Sequence, residues 1–302
     1  MFVELDTYDR LFETQTSRLY FRDNLVYKVK KKVSDHFISY VTREQRITAI
    51  EREFSKGVKY SPRLYRAVVD VQERGSTQSE PAICMNYLGP HYVTVFSYLL
   101  RSSSRLASLD RLLQEVRAFH MQTRIYKEAD GLICGSMEQR FQLLFREAES
   151  LGFGLHSTFM EGHERFIEHY RDQYPTRLEQ GYIRELHGDL HTDNILFFDD
   201  DFILFDFLDF DETFAAGDVA IDLGFLISDF CFLEGIYDLN SLLSLINGLF
   251  NIDPEILFPL IALGVLNRAN TLQLRTDYSH LSGKYYELST SMMERYLKTF
   301  AT

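Results

Sequence analysis

The stretch that decides the fold is ELHGDLHTDNILFFDDDFILFDFLDFDE, residues 185–212. It sets His187, Asp189 and Asn194 in the order His-x-Asp-x-x-x-x-Asn. An apolar run from Ile195 to Phe198 follows, then a polar turn from Asp199 to Asp201, then a second apolar run that reaches Asp206-Phe207. Two β-rich runs around a short polar turn predict a hairpin. Such a hairpin carries the Asn194 carboxamide and the Asp206 carboxylate back to one point. Hard oxygen donors gathered in this way suit a chemistry that needs positioning and charge neutralisation more than a covalent intermediate.

The spacing matches the catalytic loop and metal-binding aspartate of kinases. In that reading Asp189 takes the proton of an acceptor hydroxyl, while Asn194 and Asp206 hold the Mg²⁺ ions that bridge the phosphates of ATP. His187 and His191 stand four apart around Asp189, which leaves a metal-hydrolase site as the competing reading. The glycine inside HGDLH and the strand that follows it disfavour a helical zinc motif. Phe207 reads as core and Asp199 to Asp201 as a solvated turn.

A kinase reading requires further parts upstream. Val26-Tyr27-Lys28 supplies a lysine on a predicted strand, and Glu53, ahead of Glu51, supplies its partner on the helix predicted from Thr42 to Val58. Lys30 and Lys32, which alternate with the strand, are expected to face solvent. ICMNYLGP, residues 83–90, is an apolar strand running into a polar break, the pattern of an adenine hinge. Backbone groups near Asn86 and Leu88 would meet the base edge, with Met85 at its side.

The chain has 302 residues, 45% of them hydrophobic, and a formal charge of −12. That balance argues against a nucleic-acid or anionic-membrane partner and is compatible with a cationic small-molecule acceptor. The N-terminal segment shows no secretory signal, the longest apolar stretch is too short for a membrane helix, and Cys84, Cys134 and Cys231 show no paired spacing, so a cytoplasmic protein with buried thiols is expected. Strands are expected at Leu19 to Phe21, Leu25 to Val29, Arg66 to Gln72 and Ala82 to Tyr87. Helices are expected at Leu109 to His120, with Ser108 as N-cap, at Met137 to Ser150, at Glu161 to Tyr174 and through most of the chain beyond Asp218. The predicted class is α+β: a bilobal kinase-like fold with a small antiparallel-sheet N-lobe, residues 1–88, and a larger, mainly helical C-lobe, residues 89–302.

HGDLHTDNIL and LFDFLDFDE resemble the catalytic and metal-binding segments of the aminoglycoside phosphotransferase family, and GDVAIDLGFL resembles its downstream helix start. The resemblance implies a protein-kinase-like fold, Asp189 as base, Asn194 and Asp206 as Mg²⁺ ligands, and Asp222 as a buried brace for the loop, with His187 structural. Asp218 is expected as a helix N-cap. A closer likeness is to the phosphotransferase-like module that precedes an ATP-binding domain in many bacterial proteins. FETQTSRLYF, VYKVKKKV, EREFSKGVKYSPRLY and IRELHGDLHTDNIL are similar to its segments in the same order, from about residue 12 to 230. It implies the Lys28–Glu53 pair.

The sequence departs from this pattern in three places: ETQTSRLYFRDN contains no glycine, Gln15 stands where the module has His, and Lys32 where it has Pro. Thr16 and Ser17 are then expected to cover the phosphates. Two functions follow as expectations: an ATP- and Mg²⁺-dependent phosphotransferase acting on a small-molecule hydroxyl, or a nucleotide-binding module of the same fold without turnover. For a cationic acceptor, Asp209, Asp211, Glu212, Asp229 and Glu234 are the candidate contacts.

Overall fold

The computed structural model describes residues 2–34, 38–101, 109–127, 134–155, 157–209, 214–233, 239–275 and 277–300. The chain forms two compact units. One comprises Met1–Val93 and Leu196–Asp211, the other Thr94–Ile195 and Glu212–Thr302. The first unit runs to Val93 rather than to residue 88, and it includes the hairpin segment Leu196–Asp211, expected with the C-terminal lobe. Side-chain contacts within that unit fix it there, since Ser61 Oγ donates to the Leu204 carbonyl at 2.5 Å and Phe207 packs against Tyr60 and Tyr65.

In the first unit, strands β1 (Phe2–Leu5), β2 (Arg10–Glu13), β3 (Ser17–Arg22), β4 (Leu25–Lys30), β5 (Tyr65–Glu73) and β6 (Ser79–Asn86) make one sheet in the order β1-β5-β6-β4-β3-β2. All pairings are antiparallel except β1 with β5. Asp23 and Asn24 join β3 to β4 with φ of 51° and 61°, the backbone a two-residue hairpin with matching twist demands. Because a strand alternates its faces, Tyr27 and Val29 join Leu5, Val69, Val71 and Ala82 in an apolar cluster, while Lys28 and Lys30 lie on the other face. Helix α1 (Arg43–Tyr60) starts with a capping box, Thr42 to the Gln45 amide and the Gln45 side chain back to the Thr42 amide, and buries Ile50 and Glu53. Among later elements this unit contains β10 (Asp201–Leu204) and all but the first residue of β9 (Ile195–Phe198), which form a hairpin through Asp199 at φ 58°.

The second unit is mainly helical: β7 (Val93–Thr94) leads into it, followed by α2 (Val95–Arg101), α3 (Leu109–Gln122), α4 (Cys134–Ser150), α5 (Ser157–Glu179), β8 (Ile183–Glu185), a 3₁₀ turn (Thr192–Asn194), β11 (Ala216–Asp218), α6 (Val219–Leu233), α7 (Leu239–Phe250), α8 (Pro254–Gln273) and α9 (Ser279–Phe300). Ser108, the expected cap of α3, lies outside the described residues. Asp218 Oδ1 accepts from the Ala220 amide at the start of α6, and the same carboxylate pairs with buried Arg177. Helix α6 is buried on every side from Val219 to Cys231; α8 packs along it, and α9 packs along α8. Among the described residues no single helix is long and apolar enough to cross a membrane. Cys84 and Cys231 are buried free thiols, and burial pushes Cys231 up to about 12.

Helices α6 and α8 cross at Gly224 and Gly264. A Cβ on Gly224 would sit 2.6 Å from the Leu260 carbonyl carbon, and one on Gly264 would sit 2.6 Å from the Gly224 carbonyl oxygen. Alanine has the better helix propensity by about 1 kcal/mol. The obstructing atoms are backbone, however, and cannot rotate aside. Gly264→Ala is therefore expected to destabilise the protein by about 2 kcal/mol, seen as a lower urea midpoint at unchanged slope.

His163 of α5 is wedged against Phe141 and Phe145, with ring centroids at 4.6 and 5.0 Å, and neither ring nitrogen has a partner. Burial lowers its pKa to about 4. An unfolded histidine titrates near 6.5, so the folded state favours the neutral ring. The stability this gives is present above that value and is lost as pH falls through the interval toward the folded pKa. From neutral pH to about pH 4.5 the loss is on the order of 2 kcal/mol, and His163→Leu is expected to remove that part of the acid sensitivity in a pH series of thermal melts.

Candidate active site

The first unit gathers Lys28, Lys30, Glu53, Asp206 and Asp209. Lys28 Nζ donates to both Glu53 oxygens, at 2.8 and 2.9 Å, and makes a short contact with Asp206. Glu53 is fully buried whereas Glu51 is exposed, which decides between the two candidates. Tyr65 adds a hydroxyl bond to Glu53 at 3.1 Å and accepts from the Asp206 amide at 3.0 Å.

Lys30 corrects an expectation. It is 5% exposed rather than solvent-facing, lies 3.2 Å from Glu53 and pairs closely with Asp209. Burial alone would lower its pKa, but the Asp209 and Glu53 carboxylates outweigh that and hold it well above the ordinary lysine value. Asp209, expected at the acceptor, is buried and also accepts from Tyr40 at 2.5 Å. Lys32 is exposed.

Asp206 has φ 61°. A left-handed backbone at a non-glycine residue costs on the order of 1 kcal/mol and persists where the surroundings impose it, most often at functional positions. Its carboxylate is 38% exposed, so it remains open to a ligand.

The turn between β2 and β3 takes the place of a glycine-rich loop. The Ser17 amide donates to Thr14 Oγ1 at 3.0 Å, and Thr14 N donates to the Ser17 carbonyl at 2.9 Å. Ser17 Oγ is buried without a hydrogen-bond partner. Such an orphan costs about 1–3 kcal/mol until something accepts from it. On the segment expected as the hinge Met85 is buried, and Asn86 and Leu88 are half-buried. The Asn86 amide donates to the Leu64 carbonyl at 2.8 Å and its side chain to the Arg63 carbonyl at 2.7 Å, so these two donors of Asn86 are used within the protein.

The second unit holds the loop from His187 to Asn194. Asp222 is fully buried and accepts from His187 N at 2.9 Å and Gly188 N at 3.0 Å, with His120 Nε2 at 2.9 Å. Burial would raise its pKa; the His120 and Gly188 hydrogen bonds hold it below the ordinary value. His187 is fully buried, edge-on to Phe119, and takes no exposed position. Gly188, at φ 86°, makes the turn that brings Asp189 out.

Asp189 is 42% exposed at its side chain. Asn194 Nδ2 donates to the Asp189 carbonyl at 2.8 Å and to its carboxylate at 3.2 Å, which leaves the amide oxygen of Asn194 for another partner. Asp229, a second acceptor candidate, is fully buried against Arg268, Thr192 and Tyr285 and is not available to a ligand. The other three, Asp211, Glu212 and Glu234, lie outside the described residues.

The donor chemistry fits Mg²⁺, which takes hard oxygens and is usually held by one or two protein groups together with phosphates. The Asp206 carboxylate in the first unit and the Asn194 amide oxygen in the second are each a donor of that kind. Among the described residues no three His, Cys, Asp or Glu side chains gather into a metal cage. The orphaned Ser17 hydroxyl and the Lys28 ammonium fit the phosphates of a nucleotide.

Fold and residues together define the class of protein-kinase-like phosphotransferases. The chain belongs to the phosphotransferase enzyme family, whose pattern matches residues 60–241. An uncharacterized protein of Mycobacterium tuberculosis is 24% identical over 245 residues, covering 73% of this chain and 45% of the relative. The chain thus spans about half the length of the curated relatives it matches. Among solved structures, a microcompartment-associated aminopropanol kinase is similar with a TM-score of 0.56 at 14% identity, covering 97% of this chain and 95% of that one. The GDP and kanamycin complex of APH(2")-IIia follows with a TM-score of 0.50 at 13% identity, covering 96% and 94%.

Proposed function

We propose that the chain transfers the γ-phosphoryl group of ATP, or another nucleoside triphosphate, to a hydroxyl of an amine-bearing small molecule. The observation that carries this is the half-exposed Asp189, aimed by Asn194 and set on a loop braced at Asp222. A module that only binds nucleotide has no use for a carboxylate presented in this way. Nucleotide and amino-alcohol or aminoglycoside ligands named for the similar structures support the substrate class.

Asp189 accepts a hydrogen bond from the acceptor hydroxyl, orients its oxygen toward the γ-phosphorus and takes its proton as the new P–O bond forms and the bond to the β–γ bridging oxygen breaks, the nucleoside diphosphate leaving with that oxygen. Asn194 and Asp206 would hold Mg²⁺, which when bound neutralises the phosphate oxygens. Lys28, held by both Glu53 oxygens, is the cation that would meet the phosphates. Ser17 Oγ donates to a phosphate oxygen in place of a glycine-rich backbone.

The test is nucleotide consumption with ATP and GTP against a panel of amino alcohols, aminoglycosides, neutral sugars and nucleosides, with nucleotide affinity measured alongside. Acceptor-dependent ADP or GDP release with the amine-bearing compounds supports the reading. Micromolar affinity without release under any acceptor would replace it with the binding-module reading.

A further inference from the structure

Residues 191–194 are gripped by groups from two helices, Asp229 of α6 and Arg268 of α8, and by Arg275 just past the end of α8. Asp229 stands two turns along α6 from Asp222, and its two oxygens take four donors. Thr192 N at 3.2 Å and Thr192 Oγ1 at 2.5 Å reach Oδ2; Arg268 Nε at 2.8 Å and the Tyr285 hydroxyl at 2.9 Å reach Oδ1. Arg268, from α8, is 1% exposed. Its Nη2 donates to Asp193 Oδ2 at 3.0 Å, its Nη1 lies 3.5 Å from His191 Nδ1, and its guanidinium sits 4.7 Å over the Phe96 ring. Arg275 adds a second donor to Asp193 at 2.8 Å.

A buried ion pair is weak evidence for stability, because well-packed apolar residues of the same volume often do as well. What apolar residues cannot do is fix a polar loop at three successive positions. His191 also accepts the Asp193 amide at Nδ1, and its carbonyl accepts the Asn194 amide at 2.9 Å, so the grip passes directly to the candidate metal ligand.

We propose that Arg268 is a positioning residue for phosphoryl transfer: its guanidinium bridges Asp229 on α6 and Asp193 in the loop, and so fixes the backbone from which Asn194 presents its amide oxygen. This inference rests on the phosphotransfer reading above. The fork geometry is the essential element. A lysine carries the same charge and can neutralise Asp229, but its one nitrogen cannot stand in for three, with Nε on Asp229, Nη2 on Asp193 and Nη1 beside His191 at once.

Arg268→Lys therefore separates bridging from charge. Bridging predicts that the variant folds, that the Asn194 amide exchanges hydrogen about tenfold faster or more, and that kcat falls about tenfold with KM for nucleotide within about twofold. If Arg268→Lys keeps wild-type exchange at Asn194 and wild-type kcat, charge alone suffices and the proposal is wrong. Should that variant not fold, Asp193→Asn decides, since it loosens the loop while Arg268 and Asp229 still pair; unchanged exchange and kcat there overturn the proposal equally. If the wild type consumes no nucleotide with any acceptor, the phosphotransfer reading fails, and the exchange measurement still decides whether Arg268 holds the loop.

Discussion

Asp206→Asn is expected to lower phosphoryl transfer by roughly a thousandfold while leaving the melting temperature unchanged or slightly higher. Both halves follow from the same observations. The first unit buries two lysines against three carboxylates: Lys28 and Lys30 face Glu53, Asp206 and Asp209. Removing one negative charge balances the set. Asparagine also tolerates the left-handed backbone at φ 61° at least as well as aspartate does. The change is therefore not expected to cost stability, and a loss of activity at an unchanged melting temperature would assign Asp206 to ligand binding. Loss of activity should come with a higher Mg²⁺ concentration for half-maximal rate, read from a magnesium titration beside a thermal melt. A variant that melts markedly earlier and keeps its magnesium dependence would show that Asp206 serves the fold instead.

The part of the site that could be read from the sequence is the part that is contiguous. His187, Asp189 and Asn194 fall within one loop whose spacing is set by local geometry, and the flanking hairpin follows from two short apolar runs. Lys28 with Glu53 was readable because a strand and an amphipathic helix each declare their faces. Lys30 was misread for a physical reason. Alternation puts it on the same face as Lys28, but whether that face is wet depends on Asp209, which arrives only after the hairpin. Asp229 and Arg268 pose the same problem across α6 and α8: a carboxylate on an apolar helix looks ready for a ligand until its buried partner is known. Strand β1 escaped notice because four residues carry too little periodicity, and its parallel pairing with β5 has no turn to announce it.

For Asp189→Asn the expected loss in kcat is about a thousandfold, with KM for nucleotide within about threefold of wild type. The substitution keeps the shape that Asn194 Nδ2 contacts at 3.2 Å, and the Asp189 carbonyl, which takes the 2.8 Å bond, is untouched. Loop geometry is therefore retained, and the side chain buries no new unpaired group, since it is 42% exposed. What disappears is the capacity to take a proton. In a loose transition state little proton transfer has occurred at the barrier, so part of what Asp189 supplies is orientation of the acceptor, and an amide oxygen keeps some of it. The two contributions separate in the acceptor series. If proton transfer dominates, the loss shrinks for acceptors with more acidic hydroxyls, because they need the base less. If orientation dominates, the loss is the same across the series. A variant with wild-type kcat on every acceptor would remove Asp189 from the mechanism, and with it the observation on which the proposed activity most depends.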